Sequence, residues 1–414
     1  MTRSASLPAS PAAEPVRALQ DCPPLSQEEA RRFGRHLILP EFGSEGQRRL
    51  KAGSVLLVGV GGLGSPAALY LAAAGVGRIG LVDADRVEET NLQRQVAHGR
   101  ASLGRPKTES AAARMRDLNP GVSIERHDTF LTAENALDLI GRYDVVIDGT
   151  DNFPTRYLVN DACVRLGKPN VFGGVLRFDG QLSVFDARHG PCYRCLFPSP
   201  PPVELAPNCA EAGVLGVLPG VIGALQATEA IKLLTGLGAP LIGSMLVYDG
   251  LDLSFDRVAI AKDPACPCCS RPPGEIVLKA EAMACAAPAP GRRIAPADLR
   301  ARLAGGDAPL LLDVRNPPEW AGGIIPGAAL LPRAEIEAAL AELPDGAAPL
   351  PGHPLAGIPR DREVVVYCQG GLRSAAVIRA LAAAGHPASR LLDLEGGFSA
   401  WDGPVARPVP EAAG

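Results

Sequence analysis

Two Cys-x-x-Cys pairs, Cys192/Cys195 and Cys266/Cys269, place four thiol ligands at the spacing of zinc knuckles. One such pair could be a redox couple or two buried thiols. Two pairs in one chain favour a closed tetrahedral site, structural rather than catalytic because no coordination position is left open. Cys268 competes for the site, and the two-residue gap favours Cys269. Cys163 falls inside a helical pattern and reads as core, while Cys22 and Cys285 suggest no role. Upstream lies the turn Gly59-Val60-Gly61-Gly62-Leu63-Gly64, and downstream the loop Cys368-Gln369-Gly370-Gly371-Leu372-Arg373-Ser374. The first can bring backbone N–H groups against a nucleotide phosphate, and the second can cradle a sulfur anion.

The glycine turn does not choose its nucleotide, since NAD-dependent oxidoreductases use the same signature, and Asp83 would hold a ribose in either case. The charges that follow favour a triphosphate. Arg94 and Lys107, with Arg35 as a third cation, could clamp phosphates, although any one of them taken singly could be a solvated surface charge. Asp151, beside Asn152 and just past a strand ending at Asp148, falls where open α/β sheets bind ligands and could hold Mg²⁺.

Cys368 ends an apolar strand, so the loop and the helix after it would aim N–H groups at the sulfur and stabilise a thiolate or persulfide. Arg373 closes that loop one residue sooner than in cysteine phosphatases, a cradle better suited to sulfur than to phosphate. A buried structural cysteine is the bland alternative.

These groups must be carried by folded elements. Ser26-Gln27-Glu28-Glu29 reads as a capping box opening a first helix. Strands at 55–58, 79–83 and 144–148 alternate with helical patterns, which predicts a Rossmann-like α/β domain with a parallel sheet. An apolar stretch at 213–237 contains Pro219, Gln226, Glu229 and Lys232 and reads as a buried helix rather than a membrane span. Pro, Ala and Gly dominate 272–290, and a second α/β unit follows with strands at 310–314 and 364–367 and a helix at 375–384. The expected organisation is a disordered tail at 1–25, a first α/β domain at 26–270, a linker at 271–291 and a second domain at 292–414. At 414 residues, two cores are expected. A net charge of -4 leaves no basic stripe for nucleic acid, and the N-terminus lacks a signal-peptide core, so a cytoplasmic enzyme is expected.

The glycine turn, Asn91-Leu92-Gln93-Arg94-Gln95, Thr150-Asp151-Asn152, Pro191-Cys192-Tyr193-Arg194-Cys195 and Cys266-x-x-Cys269 together resemble the MoeB/ThiF enzymes. That family adenylates the C-terminal glycine of ubiquitin-like sulfur-carrier proteins. Leu312-Asp313-Val314-Arg315, Ile325-Pro326-Gly327-Ala328, the Cys368 loop and Glu395-Gly396-Gly397-Phe398 resemble a rhodanese sulfurtransferase domain, with Ile324 standing where rhodaneses commonly carry His. The order of the two resembles the MoeZ-type fusion.

The resemblance implies ATP and Mg²⁺ at the first site, with Gly59, Gly61, Gly62 and Gly64 forming the phosphate turn, Asp83 on the ribose, Asn91, Arg94 and Lys107 on the phosphates, and Asp151 on the metal. It places Arg35 in the site of a neighbouring subunit, which implies a homodimer. Cys209 matches a position proposed to bond the carrier. Sulfur would come from thiosulfate or a cysteine desulfurase and pass through Cys368. Molybdenum cofactor synthesis is the expected pathway, with thiamine, cysteine and tRNA thiolation as alternatives.

Overall fold

The structure, a computed structural model, describes residues 15–201, 213–279, 291–306, 308–343, 350 and 352–407; Cys209 and Cys285 lie outside them. The chain divides into two compact units, each built on its own sheet.

The first sheet grows from short runs that are apolar on both faces, as parallel strands covered on both sides require. Ser54–Val58 (β1) is buried at every position, and Val145–Asp148 (β4) likewise. Between them in sequence come Arg78–Val82 (β2) and Ser123–His127 (β3), and after them Asn170–Leu176 (β5). β1 to β5 run parallel in the order β3-β2-β1-β4-β5. The sheet then departs from the expected all-parallel form. Asp179–Phe185 (β6), Ser244–Asp249 (β7) and Ser254–Ala259 (β8) extend it antiparallel. The reason is local: two residues join β5 to β6, Arg177 takes φ 54°, and so short a connection permits a hairpin but no crossover.

Helices Gly64–Ala74 (α1), Lys107–Leu118 (α2), Phe153–Leu166 (α3) and Val217–Thr235 (α4) pack on this sheet. α4 is long and apolar enough to cross a membrane, the one such helix among the described residues. Buried polar side chains on it bond inside the unit, with Gln226 Nε2 donating to Asp148 O and Val171 O, and Leu241 N donating to Glu229 Oε2. It is the core helix that the interrupted apolar pattern predicts. The Ser26 capping box forms as read, with Glu29 N donating to Ser26 Oγ and Ser26 N to Glu29 Oε2. Residues 273–278, which composition assigned to a linker, stay packed on the first unit: Ile276 is buried beside the paired cysteines, and Arg165 donates to its carbonyl.

The second sheet is wholly parallel. Its strands are Arg292–Ile294 (β9), Leu310–Asp313 (β10), Ala329–Leu330 (β11), Val364–Tyr367 (β12) and Leu391–Leu394 (β13), in the order β11-β10-β12-β13-β9. The all-buried run Val-Val-Val-Tyr makes β12 the centre, and Cys368 stands at its carboxyl end. Helix Leu372–Ala383 (α5) begins three residues earlier than the pattern predicts, because Gly371 adopts φ 97° and turns the chain straight into it.

Candidate functional site

Strand order reverses between β1 and β4, and at the carboxyl ends of such a pair the loops part to leave a crevice. A cavity of about 160 Å³ opens there. Gly59, Gly61, Gly62, Asp83, Arg94, Lys107, Asp151 and Asn152 line it, so most of the nucleotide residues expected from sequence meet in one place. Gly64 does not. A Cβ at Gly64 would lie 2.0 Å from Gly59 O, so its work is to let α1 close against the turn. No described group accepts a hydrogen bond from the N–H of Gly61, Gly62 or Leu63, which leaves three donors near the start of α1 for an anion.

Asp83 sits beneath the turn, accepting from Val60 N at 2.8 Å and from Asp85 N at 2.8 Å. Burial raises its pKa, with the nearby Lys107 charge opposing. Each oxygen keeps a further lone pair that a ribose hydroxyl can use. Lys107 is buried and its Nζ lies 2.8 Å from Asp85 Oδ2, an ion pair that holds the ammonium at the cavity wall. Arg94 Nη1 donates to Thr90 O. Asp151 is exposed, and no hydrogen bond or ion pair to a described residue engages its carboxylate, so its hard oxygen donors suit Mg²⁺. Asn152 caps α3, its Oδ1 accepting from Thr155 N at 3.0 Å.

Two expected residues stand apart. Asn91 does not line the cavity; it is buried, and its Oδ1 accepts from Glu88 N within its own short turn. Arg35 is exposed on a short helix, Gly34–Leu37, and is not among the lining residues. Sequence reasoning missed Asp85 and Arg156. The alternation Asp83-Ala84-Asp85 was a usable signal for the first. Arg156 stands four residues after Asn152 on one helix face, where its guanidinium donates to Thr150 O and lies 5.1 Å from the centre of the Phe172 ring.

The four paired cysteines converge. Their Sγ atoms all lie within 4.8 Å of one another, with 3.6 Å between Cys192 and Cys266 and 3.4 Å between Cys195 and Cys269. A tetrahedral zinc with bonds of about 2.3 Å separates its sulfurs by roughly 3.8 Å, so the cluster can hold Zn²⁺. Burial pushes the Cys266 thiol up to about 11, a cost that a bound dication reverses. Cys268 is outside the four; its Sγ receives the Asn160 amide at 3.9 Å. Behind the cluster, Arg194 makes a buried two-pronged pair with Asp161, at 2.8 and 2.7 Å, and donates to Pro198 O.

In the second unit Cys368 is buried, and its Sγ receives the Gly371 N–H at 3.1 Å. Successive loop amides were expected at the sulfur; this is the one backbone donor to it among the described residues. Ser374 Oγ lies 3.7 Å from the sulfur, 2.9 Å from Gly371 O and 2.6 Å from Asp393 Oδ1. Burial raises the Asp393 pKa, with the Ser374 bond opposing. Nothing lies within 4 Å of where a Gly370 Cβ would be, so the loop faces open space. Arg373 donates to both Glu319 oxygens, at 2.6 and 2.8 Å. Arg315, fully buried, pairs with Asp313, reaches Gln369 Oε1 and stacks 4.0 Å from the Phe398 ring centre, stiffening the floor of the loop. Ile324 is buried and bridges to Ala406.

Residues 33–268 match the ThiF family and residues 295–403 a rhodanese-like domain. The chain is 46% identical over 403 residues, 96% of its length and 97% of the relative's, to the probable adenylyltransferase/sulfurtransferase MoeZ of Mycobacterium tuberculosis. It is 43% identical over 412 residues to the adenylyltransferase and sulfurtransferase MOCS3 of Sus scrofa, covering 96% of this chain and 90% of that one. Over 253 residues, 60% of the chain and 93% of the relative, it is 53% identical to a sulfur carrier protein adenylyltransferase of Thermus thermophilus. Among solved structures, E. coli MccB with MccA-N7isoASN shares the fold of 60% of this chain and 76% of that one, at a TM-score of 0.54 and 21% identity. The nicotinamide reading of the glycine turn thus gives way to nucleotidyl transfer. A nucleotide-shaped cavity on a mixed sheet and a cysteine loop on a parallel one, with relatives of the same two-domain construction matched over nearly their whole length, make this chain an adenylyltransferase and sulfurtransferase that belongs to the ThiF family and carries a rhodanese-like domain.

Proposed function

We propose that the first unit uses Mg-ATP to adenylate the C-terminal glycine of a ubiquitin-like sulfur-carrier protein, and that the outer sulfur of a Cys368 persulfide then displaces AMP to give an acyl disulfide, which a second thiol cleaves to release the thiocarboxylate and leave Cys368 in a disulfide. The observation that carries the first half is the cavity lined both by Gly61, Gly62 and Leu63, whose N–H groups have no described acceptor, and by Lys107, Arg94 and Asp151. When the terminal carboxylate attacks the α-phosphorus, charge builds on the phosphoryl oxygens and on departing pyrophosphate, and fixed donors and cations stabilise it without reorganising. The nucleophile is already ionised, so no general base is needed. Mg²⁺ on Asp151 would neutralise phosphate charge. Asp83 would take the ribose, and Asn152 would hold the Asp151 loop against α3.

Arg35, exposed in this chain, suits a role in the cavity of a second copy, and a homodimer is part of the proposal. The four-cysteine cluster would hold Zn²⁺ as a structural fastening between the segment after β6 and the end of the first unit. In the second unit, sulfur from thiosulfate or a cysteine desulfurase would be stored as a Cys368 persulfide, with the Gly371 N–H stabilising its charge. Molybdenum cofactor synthesis is the pathway proposed, on the strength of the MoeZ-like construction. Copurification from the native host, with mass spectrometry of the captured carrier's C-terminus, tests it: a carrier from another thiolation pathway, captured alone, would overturn that assignment while leaving the chemistry.

A further inference from the structure

The Val60 backbone in the glycine turn is held at both of its flanking peptides. Its N–H donates to Asp83, and its carbonyl accepts from Ser65 Oγ at 3.4 Å and lies 3.0 Å from His98 Nε2. His98 is buried, and its other nitrogen, Nδ1, lies 3.1 Å from Ser110 Oγ. A carbonyl can only accept, so Nε2 carries the proton, and the neutral ring accepts the Ser110 hydroxyl at Nδ1. Burial pushes the His98 pKa down, in keeping with that neutral form.

No described peptide bond is cis, so the Val60 carbonyl and the Gly61 N–H point to opposite sides of one plane. With the carbonyl drawn inward onto His98, the Gly61 N–H is turned outward, to the side of the cavity that Gly61 lines. Glycine accepts either sign of φ, so nothing in Gly61 itself prevents this peptide from flipping. A flip would exchange a donor for a carbonyl oxygen facing an anion.

We infer that His98 is a positioning residue for phosphate binding: it locks the Val60–Gly61 peptide in the orientation that offers the Gly61 N–H to a nucleotide phosphate. The inference rests on the nucleotide reading of the cavity. His98 touches no ligand, and its effect passes through one peptide plane. It should therefore govern the phosphates and leave the nucleoside alone, a selectivity that a merely structural histidine would not produce.

Calorimetry on the full chain with MgATP, and separately with adenosine, tests this. His98→Ala should weaken MgATP binding by about tenfold or more, and adenosine by less than about twofold. His98→Gln, whose Nε2 amide can donate to the same carbonyl, should recover most of the loss. If His98→Ala does not fold, Ser110→Ala, which frees only the far side of the ring, should give the same phosphate-selective loss in smaller measure. Equal losses for MgATP and adenosine, or none for either, overturn the role of His98 while leaving the cavity's assignment standing. Failure of the unsubstituted chain to bind MgATP overturns the nucleotide reading and this inference with it.

Discussion

The two units solve related problems with the same local device, a buried parallel strand, a glycine loop and a helix, and differ in what stands at the end of the strand. After β1 it is Gly59, and behind it the N–H groups of Gly61, Gly62 and Leu63 have no described acceptor. After β12 it is Cys368, and the loop's Gly371 N–H is already spent on the protein's own sulfur. Nearby charge follows the same division. Around the first cavity Lys107 is paired with Asp85 but the Asp151 carboxylate has no described partner, whereas beside Cys368 the charges Arg373/Glu319 and Arg315/Asp313 are paired with each other. One loop leaves its donors open; the other directs its donor onto a sulfur that belongs to the chain. A helix N-terminus therefore does not specify its ligand: the residue that ends the strand does.

Substitutions confined to one region should break that comparison cleanly. The largest effect is expected for Asp151→Ala, which should lower carrier-dependent ATP–pyrophosphate exchange by ~10²–10³ and leave thiosulfate sulfurtransferase activity intact. Full exchange at matched Mg²⁺ would remove Asp151 from the first site. Next comes Cys195→Ser, which should release zinc and lower the melting temperature of the first unit without moving that of the second. Elemental analysis of the wild-type protein, purified without chelator, must find about one zinc per chain, and finding none would sink the assignment.

The smallest effect concerns Glu319. Burial alone would raise its carboxyl pKa, but the bonds from Arg373 and Asn316 N and their charge hold it below the ordinary range. A depressed folded pKa gives stability that is present above the unfolded value of about 4.3 and lost as pH falls through the folded one. Glu319→Gln should thus lower the second unit's melting temperature at pH 7 and much less at pH 3; an equal drop at both would show that the ion pair contributes nothing.

Much of this was legible because the informative residues act within a few positions of one another. Apolar runs such as 54–58 and 364–367 can only be buried strands, the glycine turn must follow one, and Ser26 with Glu29 writes its own cap. The cysteine pairs carry their spacing openly, and their sulfurs do converge. What stayed hidden depends on contacts distant in sequence. Lys107 reads as a free cation until Asp85 is seen beside it, and His98 reads as nothing at all until β1 brings Val60 O against it. The antiparallel extension from β6 to β8 is set by a two-residue turn at Arg177 that lacks the usual glycine signal. Asn91, carried into the cavity by resemblance, instead spends its side-chain oxygen on its own turn.

Cys368→Ala tests the central claim, that one chain holds two separable reactions, more directly than any other change. Pyrophosphate exchange and the mass of the carrier's C-terminus are to be followed in parallel, with thiosulfate as the sulfur source. The account predicts exchange at the wild-type rate and no thiocarboxylate, with an acyl-adenylate that external sulfide can still convert. Thiocarboxylate made by this variant from thiosulfate alone would contradict it and move the sulfur route to another thiol.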